Sequence, residues 1–328
     1  MDDVGLARRP EARSFAGNRV ARDTGAKYPI IQAPMSWIAR AQLASAVSAA
    51  GGLGLIENSS RNLEIVQRET AMARAATDKP FGYNLPVKFM KVAEEEEKSI
   101  LDWVIGQKPR FVTTSAGDPR RYVGPLRDAG IIVYHATPSL EGSLKAEDAG
   151  VDGLVVEGAE SAGIRAADGP HSFVLLQAVR ERVSCPIVAA GGIVDGRGMA
   201  AAFALGAEGI AMGTRFVASA ESPVHPAYKA AIVAAGIRDT LNIPGAPGSV
   251  QRVLRSPLSE RVRSGEGDPR AARRVIQGLY IEGDLENSMG TAGESAGLIH
   301  GIKTVGEIIA DTVAGFWREI DRLAALRG

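Results

Sequence analysis

PIVAAGGIVDGRGMAAAFALGAEGIAMGTRFV, residues 186–217, holds a complete strand–helix–strand unit. PIVAAGGI (186–193) is a short, continuous apolar run ending on a glycine pair, as expected of a strand buried on both faces. GRGMAAAFALGA (196–207) is rich in helix formers and closes near Gly206, the usual stop signal. GIAMGTRFV (209–217) is a second apolar run. Two parallel strands need a crossover of this kind between them, so the stretch predicts one β/α repeat of a parallel sheet.

The same beat runs through the chain. PIIQAPM (29–35), GLGLIEN (52–58), PFGYNLPV (80–87), RFVTTSAG (110–117), IIVYHAT (131–137) and GLVVEGA (153–159) are further strand candidates. Helical patterns such as IARAQLASAVSAAG (38–51) separate them. A count of eight strands predicts an α/β chain folded as a TIM (β/α)8 barrel, with a doubly wound open sheet as the alternative. The beat stops after Phe216. Clusters of Pro, Gly, Arg and Ser, including IPGAPGS (243–249) and RSGEGDPRAARR (263–274), fill the next stretch. The expected organisation is an N-terminal extension over 1–27 and a barrel over 28–220 and 300–328. A smaller, mainly helical, substrate-side insertion occupies 221–299. EEEEK (94–98) reads as a solvated helix face.

Composition narrows the function. The 328 residues carry 38 basic and 38 acidic side chains, and this balance argues against nucleic acid as the main partner. No apolar run approaches membrane-spanning length, and the N-terminus lacks a signal peptide's apolar core, so a cytoplasmic protein is expected. One cysteine, Cys185, excludes an intrachain disulfide; it reads as a buried, inert thiol. Four histidines without metal-ligand spacing predict no metal site.

Barrel active sites lie at the C-terminal strand ends. The loops after strands seven and eight form the usual phosphate site, and here they offer Gly191, Gly192, Gly213 and Thr214, with Arg215 following. A phosphate-bearing cofactor is therefore expected. A phosphorylated sugar or pyridoxal phosphate would also suit such loops, but no strand ends in the lysine that pyridoxal chemistry needs. Ala33, Pro34 and Met35 end strand one in an extended backbone suited to a flat ring's edge, and Asn84 can donate to and accept from it. Thr114, at the end of strand four, joins the cofactor-binding candidates. His135, ending strand five, and His171, after Gly169-Pro170, are the candidate acid–base groups, while His225 and His300 read as structural.

YPIIQAPM (28–35), AAGGLG (49–54), GYNLPV (82–87), EGAESAG (157–163), PIVAAGGI (186–193) and AMGTRF (211–216) together resemble the nitronate monooxygenases, formerly 2-nitropropane dioxygenases. Flavin-dependent enoyl-acyl-carrier-protein reductases and some NAD(P)H:quinone reductases share that fold. The resemblance runs in order over about residues 28–230 and continues through GESAGLI (293–299). It implies an FMN-dependent oxidoreductase. Ala33 to Met35 would lie along the isoalloxazine ring, Asn84 would hydrogen-bond it, and Gly158, Ala162 and Gly163 would line the pocket. Gly191, Gly192, Gly213 and Thr214 would hold the phosphate.

Three positions depart from those relatives. They usually carry histidine where this chain has Ile164, many carry lysine where it has Ala136, and many carry glutamine where it has Glu294. A general base contributes roughly 10²–10⁴-fold to proton abstraction. Its loss disfavours oxidation of neutral nitroalkanes more than oxidation of nitronates, which are already anions. The expected function is oxidation of alkyl nitronates with O2. The alternative is NAD(P)H-dependent reduction or dehydrogenation of a quinone or of an enoyl or acyl thioester (coenzyme A or acyl-carrier protein). Tyr280, Glu294, His135 or His171 would then supply the proton. A non-enzymatic flavin-binding protein is a third option. The Arg-rich segment 252–274 reads as solvated surface, with a phosphorylated carrier such as coenzyme A as its functional reading; Arg165 likewise reads as solvent-facing. The assembly is left between a monomer and a homodimer.

Overall fold

Each apolar run predicted as a strand forms one, trimmed by up to three residues at an end, except that GIAMGTRFV is a strand only over Gly209–Met212 and turns into a short helix at Thr214–Val217. The computed structural model describes residues 13–60, 62–87, 94–268 and 278–327. The barrel strands are β1 (Ile30–Gln32), β2 (Gly54–Glu57), β3 (Phe81–Pro86), β4 (Phe111–Ser115), β5 (Ile132–Thr137), β6 (Gly153–Glu157), β8 (Ile187–Ala190) and β9 (Gly209–Met212). All pair in parallel in the order β1-β9-β8-β6-β5-β4-β3-β2. The ring closes where the Gln32 N–H donates to Leu53 O and the Leu53 N–H to Ile30 O, both at 2.9 Å. The buried Gln32 side chain strengthens the seam by accepting from the Leu55 N–H at 3.1 Å. A closed ring removes both sheet edges, so the doubly wound alternative is excluded.

Inside the ring, Ile31, Leu55, Phe111, Tyr134, Val155, Val188 and Ala211 pack in one cluster. Outside it, the alternate strand residues pack against the helices in a second, larger cluster. Local signals start those helices: Asn62, Ser139, Asp195 and Thr304 each cap a helix N-terminus with their side chains. The helix Gly196–Ala204 crosses the closing helix Val305–Ala324 with almost no gap. A Cβ on Gly196 would collide with the backbone of Gly315 and Phe316, so glycine is required at this contact.

Two boundaries differ from expectation. The described part of the N-terminal extension belongs to the barrel. Its helix Arg19–Thr24 plugs the ring's N-terminal end, with Val20 in the inner cluster and Asp23 Oδ2 accepting from the Tyr134 hydroxyl at 2.8 Å. The insertion, expected to be mainly helical, contains the antiparallel hairpin β10 (Thr240–Pro244) and β11 (Ser249–Leu254) beside the helices Pro226–Ala234 and Pro257–Arg263. A short strand from the loop after β6, β7 (Gly163–Ala166), pairs with β11 and completes a three-stranded sheet. The chain leaves the barrel and returns to it at neighbouring points, where the Ala220 N–H donates to Lys303 O at 2.9 Å. Residues 269–274 of the Arg-rich segment lie outside the described residues. Among the described residues, no helix is long and apolar enough to cross a membrane.

Candidate functional site

Strand phase decides which side chains reach the barrel mouth. Successive residues alternate between the ring's interior and the helix layer. Two residues beyond the inner cluster, Ala33, Glu57, Thr113, Ala136, Glu157 and Gly213 therefore point into the mouth. Asn84 shares that phase, in register with Glu57 and Thr113. Thr113 Oγ1 donates to Asn84 Oδ1 at 2.9 Å. The Asn84 carbonyl is thus engaged, and its NH2 group remains to donate to a ligand.

Thr114 and His135 have the opposite phase. They lie behind the sheet, buried and bonded to each other, with Thr114 Oγ1 to His135 Nδ1 at 2.8 Å. This corrects both assignments: neither side chain faces the mouth. Burial pushes the His135 imidazole down to about 4, although the Gly117 backbone and Asp118 pull the other way. The unfolded chain's histidine titrates near 6.5 and binds its proton first, so stability falls as pH drops through the window from 6.5 to 4. The full shift corresponds to a loss on the order of 3 kcal/mol. Denaturant unfolding across that window should show this slope in the wild type and a shallower one in His135→Gln. The pH profile of kcat/KM should keep its shape in the variant, whereas a catalytic His135 would change it.

The two glycine loops lie beside each other. Gly191 and Gly192 have φ of 102° and 72°, and the helix Gly196–Ala204 follows them. Gly213 lies against strand one's end: a Cβ there would sit 3.6 Å from Ala33 Cβ and 3.7 Å from Met35 Sδ. Outside the strand ladders, the backbone N–H groups of Gly192 and Gly213 make no hydrogen bond among the described residues, while the pairing of Ala190 with Ala211 takes up the Gly191 N–H. The Gly192 and Gly213 N–H groups can therefore receive an anion. The side-chain side of Gly191 and Gly192 is already filled by Glu160, whose carboxylate accepts from the Ser172 N–H and hydroxyl at the start of the helix Ser172–Arg180. Thr214 is buried and accepts from the Gly293 N–H at 3.0 Å, so the insertion's return strap touches the same loop.

The loop after β6 is held by a residue expected at the surface. Arg165 is only 4% exposed. Its guanidinium donates to Gly158 O at 3.3 Å, Ser161 Oγ at 2.8 Å, Ala162 O at 3.0 Å and also to Ser161 O. Burial lowers its pKa, and the nearby Glu157 carboxylate, 3.6 Å away, opposes that shift. Arg252 on β11 donates to Ala159 O at 3.3 Å and pairs with Glu294 at 3.0 Å. Gly158 is buried in this loop, whereas Ala162 and Gly163 are half-buried. Ile164 pairs with Gln251, which pairs with Ile243, so Ile164 shares the face that covers the insertion's own apolar cluster. Arg165 and Arg252 occupy the opposite face. Ile164 is 51% exposed. His171 is the exposed N-cap residue of the helix Ser172–Arg180 and makes no side-chain capping bond.

Strand one's exit holds an unusual conformation. Trp37 has φ +69°, a left-handed backbone that costs a bulky residue about 1–3 kcal/mol. Glu57 holds it there. One carboxylate oxygen accepts from the Trp37 N–H at 3.2 Å and lies 3.3 Å from Arg40 Nη2, while the other accepts from the Ser59 N–H at 2.6 Å. Glu57, Thr113 and Trp37 stand outside the candidate site residues predicted from the sequence. Their signal was a polar or aromatic residue ending an otherwise apolar strand or following it closely. No group of three or more potential metal ligands occurs among the described residues.

The nitronate monooxygenase family model matches residues 19–315, across the barrel, the insertion and most of the closing helix. The chain belongs to this family. Its structure superposes on FabK from Thermotoga maritima with a TM-score of 0.87 and 39% identity, covering 94% of this chain and 99% of that one. Among curated members, a (3aS,4S,5R,7aS)-5-hydroxy-7a-methyl-1-oxo-octahydro-1H-indene-4-carboxyl-CoA dehydrogenase of Mycobacterium tuberculosis is 34% identical, over 74% of this chain and 67% of that protein. A nitronate monooxygenase of Pseudomonas aeruginosa is 33% identical, over 66% of this chain and 73% of that protein. The family assignment makes the chain a member of an oxidoreductase family with a TIM-barrel fold.

Proposed function

We propose that this chain is an FMN-dependent oxidoreductase that exchanges electrons between NAD(P)H and an acyl-thioester substrate of the coenzyme A type. The residues present fit the cofactor. The N–H groups of Gly192 and Gly213 suit its phosphate, and the Asn84 amide with the Met35 N–H suits the polar edge of its ring. FMN supplies hydride transfer when bound. The chain's part is to bind, orient and exclude water.

One observation argues against a neutral nitroalkane as the substrate, and the choice of a thioester over a nitronate follows from the likeness to a carboxyl-CoA dehydrogenase. Every carboxylate placed at the mouth (Glu57, Glu157, Glu160 and Glu294) is engaged by an arginine, a serine or a backbone N–H. Of the two candidate acid–base histidines, His135 lies behind the sheet and His171 is the exposed N-cap residue of the helix Ser172–Arg180. Abstracting a proton from a neutral nitroalkane needs a free base, whereas reduction of an unsaturated thioester takes a hydride from NAD(P)H through FMN at the β-carbon and a proton from water at the α-carbon. Nitronate oxidation is the second reading. It is favoured by the Pseudomonas relative and needs no base, because the substrate is already an anion.

The test compares two assays on the purified protein. NADH or NADPH should be consumed in step with an α,β-unsaturated acyl-CoA. Turnover of propionate 3-nitronate with O2, without any acyl-CoA-dependent nucleotide oxidation, would overturn the proposal in favour of the second reading.

A further inference from the structure

Trp37 stands at the barrel mouth, two residues beyond Met35, in a backbone conformation that favours glycine. Trp37 is 41% exposed, while its neighbours Ile38 and Ala39 are buried. The Arg40 guanidinium covers one face of the ring at 5.5 Å from its centroid. Arg40 is itself 9% exposed and paired with the buried Glu57. Its Nη1 is buried and has no hydrogen-bond partner. Ser36 and Ser59, joined through their hydroxyls at 2.8 Å, brace the same turn. A buried ion pair and a left-handed tryptophan are both unfavourable features, and here both serve to present one indole face to solvent. Strain of this kind points toward function when it lies at a site.

From this arrangement we infer that Trp37 is the stacking platform for a planar heteroaromatic base of the nucleotide-bearing substrate. Arg40 backs the indole and polarises it, and the open face receives the base. Two bases share this chemistry: the adenine carried by coenzyme A and by NAD(P)H, and the nicotinamide of NAD(P)H. The inference rests on the proposed function only in taking the substrate to carry a nucleotide.

Calorimetric titration of the holoprotein with AMP, coenzyme A and nicotinamide mononucleotide tests it. Trp37→Ala should weaken binding of the stacked probe by about tenfold or more, and Trp37→Phe should restore most of it. KM should rise with kcat nearly unchanged. Loss confined to AMP and coenzyme A assigns adenine, and loss confined to nicotinamide mononucleotide assigns nicotinamide. Trp37→Asn serves as a second variant, because asparagine tolerates the left-handed backbone and keeps the turn without the ring. Wild-type affinity for all three probes in the folded Ala and Asn variants overturns the inference, as does a wild type that binds none of them. Flavin content is measured in parallel. Retained flavin with unchanged affinities removes only the stacking role, whereas a wild type without flavin removes the proposed function itself.

Discussion

Gly191→Val is expected to yield folded protein that no longer retains flavin. At φ +102° a β-branched residue is strained, which costs about 1–3 kcal/mol. A Cβ there would also press on the Glu160 carboxylate and on Ser161 Cβ, each at 3.3 Å. Glu160 cannot yield freely, because it is fixed to the Ser172 N–H and hydroxyl. The turn must then rotate, and the Gly192 N–H leaves the proposed phosphate position. With roughly 3 kcal/mol lost, flavin Kd should rise about 100-fold or more, at about 1.4 kcal/mol per factor of ten. Gly213→Ala is the control: its new Cβ meets Ala33 and Met35 only at 3.6 and 3.7 Å, ordinary contact, and should be tolerated. Equilibrium dialysis against FMN, with circular dichroism to verify folding, reads both. Undiminished flavin retention in Gly191→Val would mean the phosphate lies elsewhere.

Arg165→Met is expected to cost about 3 kcal/mol of stability. The loss follows from the partners left behind. The carbonyls of Gly158, Ser161 and Ala162 lose a charged donor within a buried loop, and Glu157 loses its cation. Methionine replaces the aliphatic stem and leaves those acceptors unmet. Lysine keeps the charge but not the planar fork, so Arg165→Lys should recover only part of the loss. Urea unfolding measures the stability, and limited proteolysis should cut the 158–163 loop faster in Arg165→Met. Equal unfolding midpoints for wild type and Arg165→Met would show that the guanidinium does not hold this loop.

The barrel was legible because each strand is a compact apolar run and many of the helices end on a glycine signal. The same property hid the phase within a strand. Strands buried on both faces show no alternation, so nothing distinguished Thr113, which faces the mouth, from Thr114, which faces the helices. His135 was misassigned for the same reason: it lies between Tyr134 and Ala136, which pack on the inner side. The insertion's hairpin was hidden differently. TLNIP and SVQRVL flank the turn residues of PGAPGS, a readable hairpin pattern, but the density of Pro and Gly made the stretch look like loop. Arg165 was beyond local reading altogether, since its acceptors reach it only when the loop after β6 folds back. The glycine loops were read correctly as neighbours because the fold itself places strands seven and eight of a barrel side by side.

Anaerobic mixing of the purified, oxidised protein with NADH, NADPH and propionate 3-nitronate in turn, followed by the flavin absorbance, tests the central claim most directly. A pyridine nucleotide is expected to bleach the flavin, and a subsequent unsaturated acyl-CoA to restore its colour. Bleaching by the nitronate alone, or a preparation that carries no flavin, would contradict it.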